Sequence, residues 1–231
     1  IYDGEIEKIH YLKNSEDISK DIVSKLKNHE DFRKLFSNFL YEIGYNKGGT
    51  FWDRFVVRVA PAENNLPYRE ASRINIHRDT WGTNLYQQIN WWAPVSNVEE
   101  KNTMIFYPDY FDVPVKNTTS TWDLNIYLAN RKKGDFSYPS APQLKEDLPS
   151  NIKKIPVTIK PGEILCFSGA HLHSSSKEKS ENTRISFEIR TICENDLNSS
   201  AQAPNVDCDL QWKFPKIFKK INDNSPLKIT S

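Results

Sequence analysis

The stretch from Pro161 to Thr191, PGEILCFSGAHLHSSSKEKSENTRISFEIRT, decides the fold predicted for this chain. Its pattern predicts a strand, a tight turn, a second strand, a polar loop and a third strand. Alternation divides the third strand into an apolar face and a polar face, made by Ile185, Phe187 and Ile189, and by Arg184, Ser186, Glu188 and Arg190. A polar face inside a β fold makes sense where it lines a site. The stretch therefore predicts a β domain with a functional inner surface.

Working outward, the same alternation predicts further strands at 54–60, 71–77, 84–95, 103–107, 155–159 and 164–167. Two amphipathic helices come before them, at 15–28 and 32–43. The second helix places one apolar stripe on its buried face, made by Phe32, Leu35, Phe36, Phe39, Leu40 and Ile43, and Gly44 ends it. Seven or eight strands with hairpin spacing indicate a mainly β fold with flanking α structure. We expect an antiparallel barrel or jelly roll of the cupin type, covered by the N-terminal helices.

The 231 residues are interpreted as a single domain. Its parts are a helical flank at 1–50, a β core at 52–192 and an irregular C-terminal extension at 193–231. Within the core, 108–153 is a long insertion with uneven patterning and a helix predicted at 120–132. It is rich in aromatic residues, and long loops in compact domains are often functional, so it is predicted to be a lid.

Charge and cysteine usage exclude several classes of partner. There are 31 basic and 30 acidic side chains, a formal net charge of +1, and no apolar run long enough to span a bilayer. Neither nucleic acid nor a membrane is expected as a partner. Three cysteines without a C-x-x-C pair favour a reducing, cytoplasmic compartment, with Cys166 as a small core residue.

The candidate metal ligands are two imidazoles and a carboxylate. His77 and Asp79 stand two apart at the end of a predicted strand, so both can bind one cation. His171 and His173 follow in the quoted stretch with the same strand parity, so alternation does not choose between them. Spacing favours His173, eleven residues before Arg184, and leaves His171 as the alternative ligand. Two histidines and one carboxylate form the facial triad that binds non-haem Fe(II).

Arg184 is the candidate anion ligand, because an arginine in an otherwise apolar strand is costly unless it is paired. Its guanidinium matches a carboxylate, and Ser186 adds a hydroxyl donor on the same face. The alternative is an internal salt bridge to Glu188 or Glu163. Beside the metal triad, a dicarboxylate is favoured.

In this order and spacing, His77-x-Asp79, His173 and Arg184-x-Ser186 resemble the Fe(II)/2-oxoglutarate-dependent oxygenases, and CFSGAHLHSS is most similar to their phytanoyl-CoA dioxygenase-like branch. The resemblance implies a double-stranded β-helix and a hydroxylase that uses Fe(II), 2-oxoglutarate and O2. It also implies iron ligation by the two histidines and Asp79, and co-substrate binding by Arg184 and Ser186. Tyr107-Pro108-Asp109-Tyr110 departs from the branch signature, so fatty acyl-CoA substrates are not implied. Alternatives are a desaturase or cyclase on the same iron centre, and a non-catalytic cupin-type binding module.

A small, polar metabolite is the expected partner, because several polar and cationic groups surround the motif. Gln88 and Asn90 share the face of Trp92 and are candidates to bind 2-oxoglutarate or substrate. The further substrate candidates are Arg73, Arg78, Trp81, Tyr86, Trp92, Trp122 and Arg190. An aromatic side chain on a strand is more often part of the core, so we expect some of these aromatic residues to be core residues and not substrate ligands.

Overall fold

A computed structural model describes residues 29–53, 55–60, 74–135, 137–176 and 180–229, together with Lys25 and Glu178. Apart from Lys25, the helix predicted at 15–28 lies outside the described residues, as do Arg54 and Arg73. In the part of the chain that the structure describes, no helix has both the length and the apolar character needed to cross a membrane.

The larger of two antiparallel sheets has six strands: β1 (Thr50–Trp52), β2 (Val56–Ala60), β3 (Ile89–Pro94), β6 (Leu165–Ser168), β8 (Arg184–Cys193) and β9 (Lys219–Lys220). Their order is β6-β3-β8-β1-β9, and β2 also pairs with β8. The long strand β8 is central, because its residues 184–188 pair with β2, 186–191 with β3 and 191–193 with β1. The stretch from Pro161 to Thr191 therefore contains most of β8, the strand with which β1, β2 and β3 all pair.

The smaller sheet has three strands in the order β5-β4-β7: β4 (Met104–Phe106), β5 (Ile155–Pro156) and β7 (His173–Ser175). Four α-helices are described: α1 (Glu30–Glu42), α2 (Thr80–Thr83), α3 (Leu124–Lys132) and α4 (Glu194–Ser199). Three 3₁₀ turns lie at Lys47–Gly49, Pro108–Tyr110 and Pro215–Ile217. The prediction of a mainly β, antiparallel fold with a few helices is confirmed. The jelly-roll arrangement stays a prediction.

Helix α1 covers the outer face of the larger sheet. Phe36 and Leu40 are buried against Trp91 and Ile189, so the helix packs on β3 and on the apolar face of β8. The predicted stripe is too wide, however: Leu35 is 66% exposed and Ile43 is 48% exposed. The buried face of α1 is therefore narrower than its run of apolar residues. Gly44 follows the helix with a left-handed φ of 98°, as expected for a glycine that ends it.

Two predicted strands are wrong in extent. Ile74 to His77 forms no regular strand, and His77 makes only an isolated bridge with His173. Asp79 has helical dihedral angles and precedes α2, whose end at Asn84 is left-handed with a φ of 54°. The strand predicted at 84–95 therefore begins only at Ile89. The period-two pattern did not reveal this helical turn, because α2 is only four residues long.

Two further expectations are corrected by burial and hydrogen bonding. Cys166 is exposed and not a core residue. The helix predicted at 120–132 begins later, at Leu124, because the side chain of Asp123 accepts hydrogen bonds from the backbone N–H groups of Asn125 and Ile126. No residue of 108–153 is among the described residues that line the main cavity.

Candidate metal centre

Three side chains from separate elements meet at one end of the smaller sheet. His173 begins β7, His77 pairs with it through two backbone hydrogen bonds of 2.9 and 3.0 Å, and Asp79 precedes α2. One ligand atom from each residue lies within 4.8 Å of the others. The His77 Nε2 atom lies 3.7 Å from Asp79 Oδ1, and His173 Nε2 lies 3.6 Å from Asp79 Oδ2. Two nitrogens and one carboxylate oxygen around one point are a donor set for a transition metal such as Fe(II).

Backbone carbonyls fix the orientation of both imidazoles. The Nδ1 atom of His77 lies 2.8 Å from the Asn75 carbonyl oxygen, and Nδ1 of His173 lies 2.9 Å from that of His171. A carbonyl only accepts hydrogen bonds, so each Nδ1 is the donor, and Nε2 is the ring atom left to bind a cation. This arrangement is typical of metal-ligating histidines. The site is therefore set up to bind a cation through the two Nε2 atoms.

A chain of buried amides holds the carboxylate. The Asn90 amide donates to Asp79 Oδ2, Gln88 Nε2 donates to Asn90 Oδ1 at 2.9 Å, and the Thr83 hydroxyl donates to Gln88 Oε1 at 3.2 Å. Gln88 and Asn90 were expected to contact co-substrate or substrate. In the structure their hydrogen-bonded chain ends on Asp79 and orients its carboxylate toward the two histidines.

The electrostatics of Asp79 and His173 favour binding of a metal cation over protonation of these two side chains. Burial opposes ionisation of Asp79, but its contact with His77 and the charges of His173, His77 and Arg190 together hold its pKa well below the usual range. Burial, followed by the charge of His77, lowers the pKa of His173 to about 4. At neutral pH the centre therefore holds an ionised carboxylate beside a neutral His173 imidazole, which are the protonation states that metal ligands require.

Both sheets line a cavity of about 220 Å³ that contains the three candidate ligands. The polar face of β8 faces it, with Arg184, Glu188 and Arg190 in the lining. Arg184 is 2% exposed, and its Nε atom has no hydrogen-bond partner among the described residues. The hydroxyl of Ser186, fully buried on the same face, also has none. Thr80 Oγ1 and the Tyr86 hydroxyl are also unsatisfied by the described residues, but of these four residues only Arg184 lines the cavity. Because buried polar groups are nearly always satisfied, its Nε is the candidate donor to an anion.

The alternative partners for Arg184 are engaged elsewhere. Glu188 accepts two hydrogen bonds from Arg58, at 2.8 and 3.1 Å, and Glu163 accepts one from the backbone N–H of Lys160 at 2.6 Å. The Arg184 guanidinium instead lies over the ring of Trp92, 5.8 Å from its centroid. Burial and then the charge of Arg58 lower the pKa of Arg184 to about 10, so it stays a cation at neutral pH.

The remaining predicted site residues divide by position. Trp92 and Arg190 line the cavity, whereas His171 is outside the cluster of ligand atoms and its ring packs on Phe111 at 4.5 Å. Arg78, Trp81, Tyr86 and Trp122 are not among the described residues that line the cavity, and Arg73 lies outside the described residues. Trp81 and Tyr86 pack in a separate cluster, and Trp122 lies beside Trp212 with ring centroids 6.0 Å apart.

Two acidic residues of the site were missed from the sequence. Asp207 accepts hydrogen bonds from Arg78 Nε at 3.1 Å and Trp81 Nε1 at 2.7 Å, and so fixes the segment on both sides of Asp79. Asp53 accepts from Arg190 Nε at 2.5 Å. Each aspartate lies more than 120 residues in sequence from the arginine that it binds. No local pattern marks an aspartate for such a role, although a buried arginine does indicate that some acid must face it.

The sequence matches no protein-family model and no curated protein. Among solved structures, the chain is similar to ThoJ, a non-haem monooxygenase, at 14% identity over 63% of this chain and 47% of that one, with a TM-score of 0.42. It therefore spans less than half the length of ThoJ. EvdO2 from Micromonospora carbonacea var. aurantiaca, complexed with 2-oxoglutarate, is 12% identical over 84% of this chain and 71% of that one, with a TM-score of 0.47.

A third similar structure is SnoK, a non-haem α-ketoglutarate-dependent carbocyclase from nogalamycin biosynthesis. It is 13% identical over 84% of this chain and 72% of that one, with a TM-score of 0.45. All three TM-scores lie below 0.5.

Proposed function

We propose that the protein is a non-haem Fe(II)- and 2-oxoglutarate-dependent dioxygenase that hydroxylates a small, polar metabolite. One observation carries the proposal: the buried Arg184, whose Nε is unsatisfied among the described residues, lines the cavity that holds the two-histidine, one-carboxylate cluster. The unsatisfied Ser186 hydroxyl lies on the same face of β8. A structural metal site has no need for such an anion site. A dicarboxylate that binds the metal with one end needs the metal site and, for its other carboxylate, the anion site.

The residues present fit both groups. His77, Asp79 and His173 would hold the metal, and three protein ligands leave positions open for further ligands. Arg184 would bind the distal carboxylate of 2-oxoglutarate, with Ser186 donating a second hydrogen bond. Bound Fe(II) supplies activation of O2, so that one oxygen atom hydroxylates the substrate and the other enters succinate as 2-oxoglutarate loses CO2.

The chain's own contribution is to position the side chains of the site and to neutralise charge. Asn90 keeps the Asp79 carboxylate turned to the histidines, and the face of Trp92 supports the Arg184 guanidinium. Arg58 neutralises Glu188, which would otherwise repel a dianion in the same cavity. At about 220 Å³ the cavity is smaller than most ligand pockets, of roughly 300–1,000 Å³, so it suits small ligands.

The test is thermal stability with each ligand alone and with both. The measurements are made under nitrogen. Fe(II) and 2-oxoglutarate added together should raise the melting temperature by more than the sum of the increases that each ligand gives alone. Arg184→Gln should remove the 2-oxoglutarate increment and retain that of the metal, because losing a buried charged contact costs about 2–5 kcal/mol. Arg131→Gln, at an exposed arginine of α3, is the matched control.

An activity measurement completes the experiment. Small polar metabolites are screened for those that stimulate succinate formation and are themselves recovered with one added oxygen. Additive ligand effects on the melting temperature, or an Arg184→Gln protein that binds 2-oxoglutarate as the unmodified protein does, would contradict the proposal.

A further inference from the structure

Arg190 is a second cavity arginine whose side chain is fixed on one edge only. Its Nε donates to Asp53 Oδ2 at 2.5 Å, and its backbone N–H donates to Asp53 Oδ1 at 2.9 Å. The backbone N–H of Asp53 donates in return to the Arg190 carbonyl at 3.0 Å. The Asp53 side chain is only 2% accessible, so this anchor lies in the protein interior. The guanidinium is therefore held in one orientation from its Nε edge.

The outer edge of the same guanidinium makes no hydrogen bond to a described residue, although the carboxylates of Asp79 and Glu188 also act on Arg190 through their charge. No described residue accepts a hydrogen bond from either Nη atom of Arg190, and 27% of the side chain is accessible beside the cavity it lines. The neighbouring Arg58 differs, because its Nε and one Nη both donate to Glu188. A rigid guanidinium that presents two free N–H groups matches the two oxygens of a carboxylate or phosphate.

Arg190 lies at the metal end of the cavity, and Arg184 lies at the other end of the same strand. In the register of β3 and β8, Arg190 is opposite Asn90, and Asn90 donates to Asp79. Arg184 lies six residues earlier on the same strand face, so the two α-carbons are about 20 Å apart along an extended strand. A five-carbon dicarboxylate that joins the metal to Arg184 runs away from Arg190. The two arginines therefore serve different ligands.

We propose that Arg190 binds an anionic group of the substrate, a carboxylate or a phosphate, so that the substrate is a small organic anion. This rests on the proposed function, since it takes 2-oxoglutarate to occupy the Arg184 end. Anchoring the anion beside the metal ligands limits which substrate carbon comes within reach of the metal. Arg190 is then a specificity-determining residue, and neutral analogues of the substrate bind poorly.

Inorganic phosphate is the probe. The protein is loaded with Mn²⁺ in place of iron, which prevents turnover, and saturated with 2-oxoglutarate, which blocks the Arg184 end. The ³¹P relaxation rate of added phosphate reports its distance from Mn²⁺. We expect a saturable enhancement that acetate displaces. Arg190→Gln should weaken phosphate binding at least tenfold, and Arg190→Lys should weaken it less because the charge is kept. Lys116→Gln, which removes a surface cation, should leave it unchanged.

The affinity for 2-oxoglutarate separates the possible failures. If Arg190→Gln binds phosphate as tightly as the unmodified protein, Arg190 is not the anion site. If it loses 2-oxoglutarate affinity instead, Arg190 serves the co-substrate, and the inference is overturned while the proposed function stands. If the unmodified protein binds no 2-oxoglutarate, the proposed function itself fails, and the substrate role with it. Circular dichroism checks that each variant is folded, and Arg190→Lys decides the result if Arg190→Gln is not.

Discussion

His171 and His173 differ in what they contact, although the sequence gives them the same parity. Nε2 of His173 faces Asp79 at 3.6 Å, whereas the His171 ring lies between Phe111 and Phe106, at 4.5 and 5.5 Å between centroids. We predict that His173→Ala abolishes stoichiometric binding of Mn²⁺ or Co²⁺ and that His171→Ala retains it. Isothermal titration calorimetry measures both variants. Retained metal binding in His173→Ala would show that the assignment of His173 as the ligand is wrong.

The buried imidazole of His173 also makes the metal-free protein sensitive to acid. Burial and the charge of His77 lower its pKa to about 4, below the ordinary value of 6.5. Between these values the unfolded chain binds a proton that the folded chain does not, so stability is present above pH 6.5 and lost as the pH falls toward 4. We predict that the free energy of unfolding is lower at pH 5 than at pH 7 by about 2 kcal/mol from this residue alone.

Urea denaturation at the two pH values, without metal, measures this loss. The difference should shrink in His173→Gln and persist in His29→Gln, which changes a histidine that precedes α1 and is exposed. An equal pH dependence in all three proteins would assign the acid sensitivity to other groups.

For individual residues, the sequence allowed candidate side chains to be selected, whereas their hydrogen-bond partners became known only from the structure. His77, Asp79, His173 and Arg184 could be selected because their chemistry and spacing are unusual together. The functions of Asp53 and Asp207 could not, since each depends on an arginine more than 120 residues away. Gln88 and Asn90 were selected for the correct strand face, but the face alone does not say whether an amide contacts a ligand or a ligating carboxylate.

The α1 helix shows how far a periodic pattern goes at the level of an element. The pattern predicted the helix and its termination at Gly44. It did not predict that Leu35 and Ile43 are exposed, because six apolar residues cover a wider arc than the sheet beneath them offers. Phe36, by contrast, is 5% exposed and contacts Trp52, Phe55 and Trp91.

We therefore predict that Phe36→Ala lowers the free energy of unfolding by about 3–5 kcal/mol, the usual cost of removing a buried aromatic ring. Leu35→Ala, one residue away and 66% exposed, should change it by less than about 0.5 kcal/mol. Chemical denaturation of the two variants gives both values. A large loss in Leu35→Ala would show that this residue is covered in solution.

For the whole molecule, the C-terminal part is more closely integrated than an irregular extension implies. Phe218 and Leu227 are buried with Phe51, Leu85 and Ile192, and Leu210 is buried in the cluster around Trp81. The segment 115–119 is also tied to it, since Asn117 donates to the Asp207 carbonyl at 2.7 Å. The sequence pattern showed few regular elements after Cys193, and β9 is indeed only two residues long. Burial of isolated side chains leaves no periodic signal.

We predict that the part of the chain after Ser200 is required for folding and for metal binding. A chain that ends at Ser200 loses the buried Cys208 and three larger buried side chains, Leu210, Phe218 and Leu227, at about 2–5 kcal/mol for each of the three. It also leaves Arg78 as a buried charge without Asp207. The sum approaches or exceeds the roughly 5–15 kcal/mol that stabilises a typical domain. We expect the shortened chain to show no cooperative melting transition and no metal binding. A short Gly-Ser insertion at Gly134, in an exposed turn after α3, is the control and should leave both unchanged. A shortened chain that melts cooperatively and binds metal with unaltered affinity would show that residues 201–231 are an appendage, and that Arg78 and the segment carrying Asp79 are held by the β core without them.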